Sequence, residues 1–248
     1  MIMPFSSNHL NIPTPHRHRL IVFTRYPQPG KAKTRLIPAL GPAGAAALQR
    51  QMTEHTLQQV QQLLKLSPLS VEIWFAATAK VGVSAAEADR HLMQNWLGDH
   101  WVYQSQAPGD LGTRMSHAFQ MAFTDGMERV VTIGTDCPEL DAHQLRRAFQ
   151  ALQTDDLVLG PAADGGYYLI GLRRFIPELF TGIAWSTVAV LQQTVAIAER
   201  LNLSIAYLDT LTDIDRPEDL SVWQTSVGEG SDFCVKPLNG CGIPGVSG

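Results

Sequence analysis

Short apolar runs alternate with helix-like segments along most of this chain, and few architectures bury both at once. Strand-like runs fall at 19–24, 71–75, 101–103, 129–134, 157–159, 167–170 and 205–208. Between them, helical patterning is expected over 42–66, 85–97, 115–123, from Asp141 to 152, and from Ser186 to about 201. Pro42 is acceptable in a first turn, and Asp141 and Ser186 are residue types that cap helices. The run RVVTIG at 129–134 is apolar with hardly any alternation, as a strand covered on both faces should be. Strands alternating with helices predict a three-layer α/β/α fold with a mostly parallel central sheet. Ligands of such sheets bind beyond the carboxyl ends of the strands. Function is therefore sought in the loops that follow them.

The 248 residues suffice for one substantial domain, expected over 18–226. Residues 1–17, rich in Pro and polar side chains, read as a disordered arm, and 227–248, rich in Gly, Ser and Pro, as an irregular tail. The formal charge of -4 argues against a surface that coats nucleic acid. It leaves room for anionic ligands held by a few local cations. No apolar run approaches the roughly 20 residues of a membrane span, and the first residues lack the apolar stretch of a signal peptide. The three cysteines, Cys137, Cys234 and Cys241, are too scattered for a disulfide framework. A cytoplasmic protein is expected.

Directly after the first strand stands PQPGKAKTRL, residues 27–36. Gly30, following Pro29, lets backbone approach a ligand, and successive amides in such a turn can form an anion-binding concavity. Lys31, Lys33 and Arg35 add positive charge within five positions, and Arg holds phosphate through two parallel hydrogen bonds. The pattern is not a Walker loop, which needs a second Gly followed by Lys-Ser/Thr. It is either a phosphate loop or a solvated basic turn.

Carboxylates recur at the expected strand ends. In GTDCPEL (134–140), Thr135 and Asp136 follow the most apolar strand. Hard oxygen ligands suit Mg²⁺ or Mn²⁺, whose shells are commonly completed by substrate phosphates. The alternative for Asp136 is a helix cap, which Asp141 serves better. Far along the chain, Asp213 and Asp215 lie two apart and would share one side of an extended segment. Pro217 then opens a short helix for which Asp215 is an alternative cap. Asp164 precedes Gly165 and Gly166 between two strands. Turn chemistry alone explains that pair, yet the small-residue loop leaves space for a substrate. Arg114 either reaches a phosphate or pairs with Asp110. Trp185, Ser186 and Thr187 begin a helix whose amides could meet an anion. Cys137 has no recognisable partner for a thiol nucleophile.

Taken together, PQPGKAKTRL, GTDCPEL, and GPAADGGYYLIGL (160–172) followed by AWST (184–187) resemble the bacterial family known as selenodomain-associated transferase 1. Its members are also called arsenosugar-biosynthesis-type glycosyltransferases and look like nucleotide-diphospho-sugar transferases of the GT-A type. The resemblance spans residues 19–223. The layout is also similar to the molybdenum-cofactor guanylyltransferases and the phospholactate/phosphoenolpyruvate guanylyltransferases. It implies that Gly30, Lys31, Lys33 and Arg35 contact the nucleotide phosphates; Pro29, Thr135 and, in the phosphate reading, Arg114 are expected beside them. Asp136, Asp213 and Asp215 would hold Mg²⁺ or Mn²⁺. From the residues themselves, Asp164, Gly165, Gly166, Trp185, Ser186 and Thr187 are expected to contact the substrate, with Asp136, Asp164 and Lys31 catalytic. Many nucleotidyltransferases open this loop with Leu-Ala-x-Gly-x-Ser-x-Arg-Met-Gly, where this chain has Thr24-Arg25-Tyr26-Pro27, so the base stays open.

The expected activity is metal-dependent glycosyl transfer from a nucleotide sugar to a small-molecule acceptor. The alternatives are nucleotidyl transfer from a nucleoside triphosphate with release of pyrophosphate, and nucleotide binding without catalysis. The oligomeric state is open.

Overall fold

A computed structural model describes residues 16–77 and 83–227. The expected arm, apart from residues 16 and 17, and the tail from 228 onward, with Cys234 and Cys241, lie outside the described residues. Seven strands form one sheet: β1 (His18–Arg25), β2 (Ser70–Ala76), β3 (Val102–Ser105), β4 (Arg129–Ile133), β5 (Leu157–Pro161), β6 (Tyr167–Leu172) and β7 (Ile205–Tyr207). Their spatial order is β3-β2-β1-β4-β6-β5-β7. All neighbours run parallel except β6, which is antiparallel to both β4 and β5. The short loop after β5 is the cause, because a hairpin can only reverse the chain.

The near-continuous apolar strands are buried on both faces, as their sequences require. Leu20, Val22, Val131 and Ile133 face one core, completed by Leu57 and Val60 of α1 (Ile37–Leu66), Met93 of α2 (Val83–Leu97) and Leu145 of α4 (Ala142–Ala151). Ile21, Phe23, Val130 and Ile170 face the other, against Met115 and Phe119 of α3 (Leu111–Thr124) and Ala198 of α5 (Val190–Arg200). This is the expected α/β/α sandwich with a mostly parallel sheet. A smaller cluster docks Trp223 of α6 (Leu220–Val227) and Ile214 against Leu48 and Met52 of α1. No helix among the described residues is long and apolar enough to cross a membrane.

Several ends differ from expectation for local reasons. The helical backbone of α1 breaks at Gly41 (φ 68°, ψ 167°), so its continuous part begins at Pro42 as expected. α3 starts at Leu111 because the Asp110 carboxylate accepts from the Thr113 amide at 2.8 Å. Asp141 caps α4 in the same way through Gln144. Ser186 does not cap α5. It sits in a left-handed turn (φ 65°), and the helix begins only at Val190. Asp215 does not cap the final helical turn either: Arg216 holds that position, and Asp219 accepts from the Asp215 and Arg216 amides.

Candidate active site

The carboxyl ends of β1 and β4 open into a cleft of about 590 Å³. Because β6 runs backwards, its amino end, Tyr167 and the preceding loop, reaches the same side. Loops separated by most of the chain therefore converge there. Lys31, Lys33, Arg35, Thr135, Asp136 and Arg114 line it, with Asp164, Gly166, Trp185, Ser186, Thr187, Asp213 and Asp215. Pro29, Gly30 and Gly165 do not line it. An adjoining pocket of about 360 Å³ shares Arg35, Asp164, Ser186, Thr187, Asp213 and Asp215, and adds Val188, Thr212 and Arg216.

The basic loop is built differently from a free amide nest. Gly30 takes a positive φ of 78°, and the Lys31 and Ala32 amides donate back to Gln28 O at 3.0 and 3.2 Å. Lys33, itself left-handed (φ 47°), turns its side chain inward until only 4% is exposed. Its Nζ lies 2.9 Å from Asp136 Oδ1 and donates to Ile214 O. The Ile214 amide donates to Asp136 O at 2.8 Å. Arg35 pairs with Asp215 across the surface. Two of the cations expected on phosphate thus tie the loop to the two acidic segments.

Three other cations are left in the cleft. Arg25, Lys31 and Arg114 line it, and among the described residues none has a carboxylate within ion-pair distance. Arg114 is aimed by neutral acceptors, donating to Gly109 O at 2.9 Å and Gln106 Oε1 at 3.4 Å. It makes no ion pair with Asp110, whose carboxylate is taken by Thr113. Gln106 is in turn fixed by its amide to Trp74 O at 2.9 Å.

Asp136, Asp164, Asp213 and Asp215 line the same cleft, near enough for the other three to act on Asp213. Burial, then the Asp164 carboxylate, with Asp136 and Asp215 adding to it, raises Asp213 above the ordinary carboxylate range. Such mutual repulsion is the surplus negative charge that a divalent cation relieves. Among the described residues no three His, Cys, Asp or Glu side chains gather into a ready metal shell. A Mg²⁺ site needs only one or two carboxylates beside substrate phosphates, so Asp136 and Asp213 fit that requirement. Asp164 is oriented by its own turn, accepting from the Gly166 amide at 2.8 Å. Gly165 between them has φ 90°, and a Cβ there would stand 2.3 Å from Val188 O. Burial and the Asp136 and Asp213 charges hold the Cys137 thiol well above its usual range, which makes it a poor nucleophile.

Under the cleft the hydroxyls of Thr24, Thr53 and Thr135 and the Gln49 amide form a buried chain of hydrogen bonds. Thr135 is 4% exposed, and its hydroxyl accepts from Gln49 Nε2 and the Thr53 hydroxyl, which ties the end of β4 to α1. Trp185 is seated against Gly112, where a Cβ would meet its Nε1 at 2.3 Å. Arg25, Gln49, Gln106 and Thr132 line the cleft without having been singled out from sequence. Arg25 ends β1, and the rule that selected the loop after that strand would have found it. The remaining three carry no such signal.

The fold recurs in known structures. A protein from Desulfovibrio desulfuricans G20, provisionally named a nucleotide-diphospho-sugar transferase, is 34% identical, covering 87% of this chain and 90% of its own, with a TM-score of 0.75. At 10% identity, 4-diphosphocytidyl-2C-methyl-D-erythritol synthase from Anaerococcus prevotii DSM 20548 has a TM-score of 0.51 over 83% of this chain and 95% of its own. CMP:2-keto-3-deoxy-manno-octonic acid synthetase complexed with CTP has 10% identity and a TM-score of 0.50 over 83% and 96%. These two share the fold alone. No curated protein matches the sequence. Residues 56–187, more than half of the chain, match a family model, and with the 34% relative this places the protein in the family described as "Uncharacterized protein conserved in bacteria (DUF2064)".

Proposed function

We propose that this protein transfers a glycosyl group from a nucleotide-sugar donor to a small acceptor, using Mg²⁺ or Mn²⁺. The observation that carries the reading is that one cleft is lined both by Arg25, Lys31 and Arg114, which make no ion pair among the described residues, and by Asp136, Asp164, Asp213 and Asp215. A diphosphate matches the unpaired cations, and a divalent cation the carboxylates. The provisional name of the 34% relative supports a nucleotide-sugar donor.

Arg25, Lys31 and Arg114 bind the donor's phosphates, Arg114 from a position fixed by Gly109 and Gln106. Asp136 and Asp213 would hold the cation, which neutralises the departing nucleoside diphosphate when bound. Lys33 holds Asp136 in place. Asp164 borders both the cleft and the adjoining pocket, and there it accepts the proton of the attacking acceptor hydroxyl. The acceptor oxygen bonds to the anomeric carbon as the bond to the phosphate oxygen breaks. Catalysis rests on placement and charge, with no covalent protein intermediate.

The test is titration of the protein with nucleotide sugars and nucleoside triphosphates, with and without Mg²⁺, followed by product analysis. Metal-dependent binding and release of a nucleoside diphosphate are expected. Pyrophosphate release from a triphosphate would replace this reading with nucleotidyl transfer, and binding without turnover would leave a nucleotide-binding protein.

A further inference from the structure

The cleft does not end at its charged rim. It continues down the sheet face covered by α3 and α5, into a pocket walled by Phe23, Met115, Tyr167, Ile170 and Trp185. Strand register places Thr132 in its floor, paired with Ile21 on β1 and Ile170 on β6. Thr132 is only 4% exposed, and its Oγ1 has no hydrogen-bond partner in the protein. A hydroxyl in that state destabilises the fold relative to an isosteric Val. It therefore invites a ligand atom.

The walls say what kind of ligand. Three of them are aromatic, with Tyr167 and Trp185 meeting edge to face at 6.5 Å and 87°. Trp185 is held in place by the missing Cβ of Gly112. Tyr167 adds a second buried hydroxyl without a hydrogen-bond partner, and flat apolar surfaces with a few buried hydroxyls select an aromatic ring that carries a hydroxyl. No charged side chain is among these six residues, so the buried end of the ligand is neutral.

We propose that this pocket binds the ring of a small hydroxyaromatic molecule, its hydroxyl bonded to Thr132 Oγ1. Naming that molecule the acceptor rests on the glycosyl-transfer reading; the pocket itself does not.

The experiment titrates the full-length protein, without nucleotide, with 4-hydroxybenzyl alcohol, benzyl alcohol and glycerol, read by calorimetry and ligand-observed NMR. The hydroxylated ring is expected to bind saturably and about tenfold more tightly than benzyl alcohol, the worth of one buried hydrogen bond. Thr132→Val should abolish that preference without lowering thermal stability, and Thr132→Ser should keep it. A merely structural threonine would lower stability in Thr132→Val and leave the preference untouched. Absence of saturable aromatic binding, glycerol bound as tightly, or a preference surviving in Thr132→Val would overturn the proposal. Saturable binding of the ring by a protein that, in a separate titration with Mg²⁺, binds no nucleotide sugar would refute only the glycosyl-transfer reading.

Discussion

Replacing Lys33 by Met tests whether the basic loop is held by its ion pair with Asp136. Both side chains have nearly the same length and shape, so packing is little changed and the ammonium is what disappears. At the 2.9 Å separation of Nζ and Oδ1, the attraction is about 1.4 kcal/mol in a water-like dielectric. Asp136 is 52% exposed, which justifies that limit. Losing the bond to Ile214 O adds about 1 kcal/mol. The apolar end of Met fits a 4%-exposed position without desolvating a charge, and this offsets part of the loss. A net destabilisation of about 1–2 kcal/mol follows. It falls short of the roughly 3–5 kcal/mol for breaking a fully buried pair, because the freed Asp136 returns to water. Arg35→Met supplies the comparison. Its pair with Asp215 has side chains 64% and 34% exposed, and exposed pairs contribute about 0–1 kcal/mol. Urea unfolding of both variants with the wild type reads the difference. If Arg35→Met costs as much as Lys33→Met, or neither changes the midpoint, burial is not what gives the Lys33 pair its weight.

Other consequences are as direct. Gly165→Ala forces a side chain into a φ of 90° and against Val188 O at 2.3 Å. A loss of about 2–4 kcal/mol is expected in denaturant unfolding, and wild-type stability would contradict the turn. Lys31→Ala and Arg114→Gln should each weaken nucleotide binding about tenfold or more while leaving stability within about 0.5 kcal/mol; unchanged calorimetric affinity would remove them from the phosphate site. The Asp110 carboxyl lies below its ordinary value of 3.8, because the Thr113 amide and hydroxyl donate to it. A depressed carboxyl stabilises the fold fully above that ordinary value and progressively less as pH falls through the folded one. NMR titration of Asp110 should give a midpoint below 3.8, and one at or above it would deny the cap.

Much of this fold was legible because its strands are uninterrupted apolar runs, buried on both faces and set off by turn residues. The alternation with helices fixed the layers, and the carboxyl-end rule led to the loops that do converge. What local patterns could not give was pairing between distant segments. Lys33 and Arg35 read as phosphate cations because the sequence does not say that Asp136 and Asp215 lie beside them. Ser186 has the chemistry of a cap, but its backbone takes a left-handed φ of 65° and the helix begins only at Val190. Thr132 looks like any β-branched strand residue until its register shows it alone between Ile21 and Ile170.

The proposed function requires the cleft lined by Asp136, Lys31 and Arg114 to bind a nucleotide together with a divalent cation. Calorimetric titration of wild-type protein and Asp136→Asn with a nucleotide-sugar panel, at fixed Mg²⁺ and in its absence, tests this most directly. Wild type should bind at least one donor in a Mg²⁺-dependent manner. Asp136→Asn should lose that dependence while its unfolding transition stays cooperative. Metal-dependent affinity unchanged in Asp136→Asn, or no nucleotide bound by the wild type with metal present, would contradict the account.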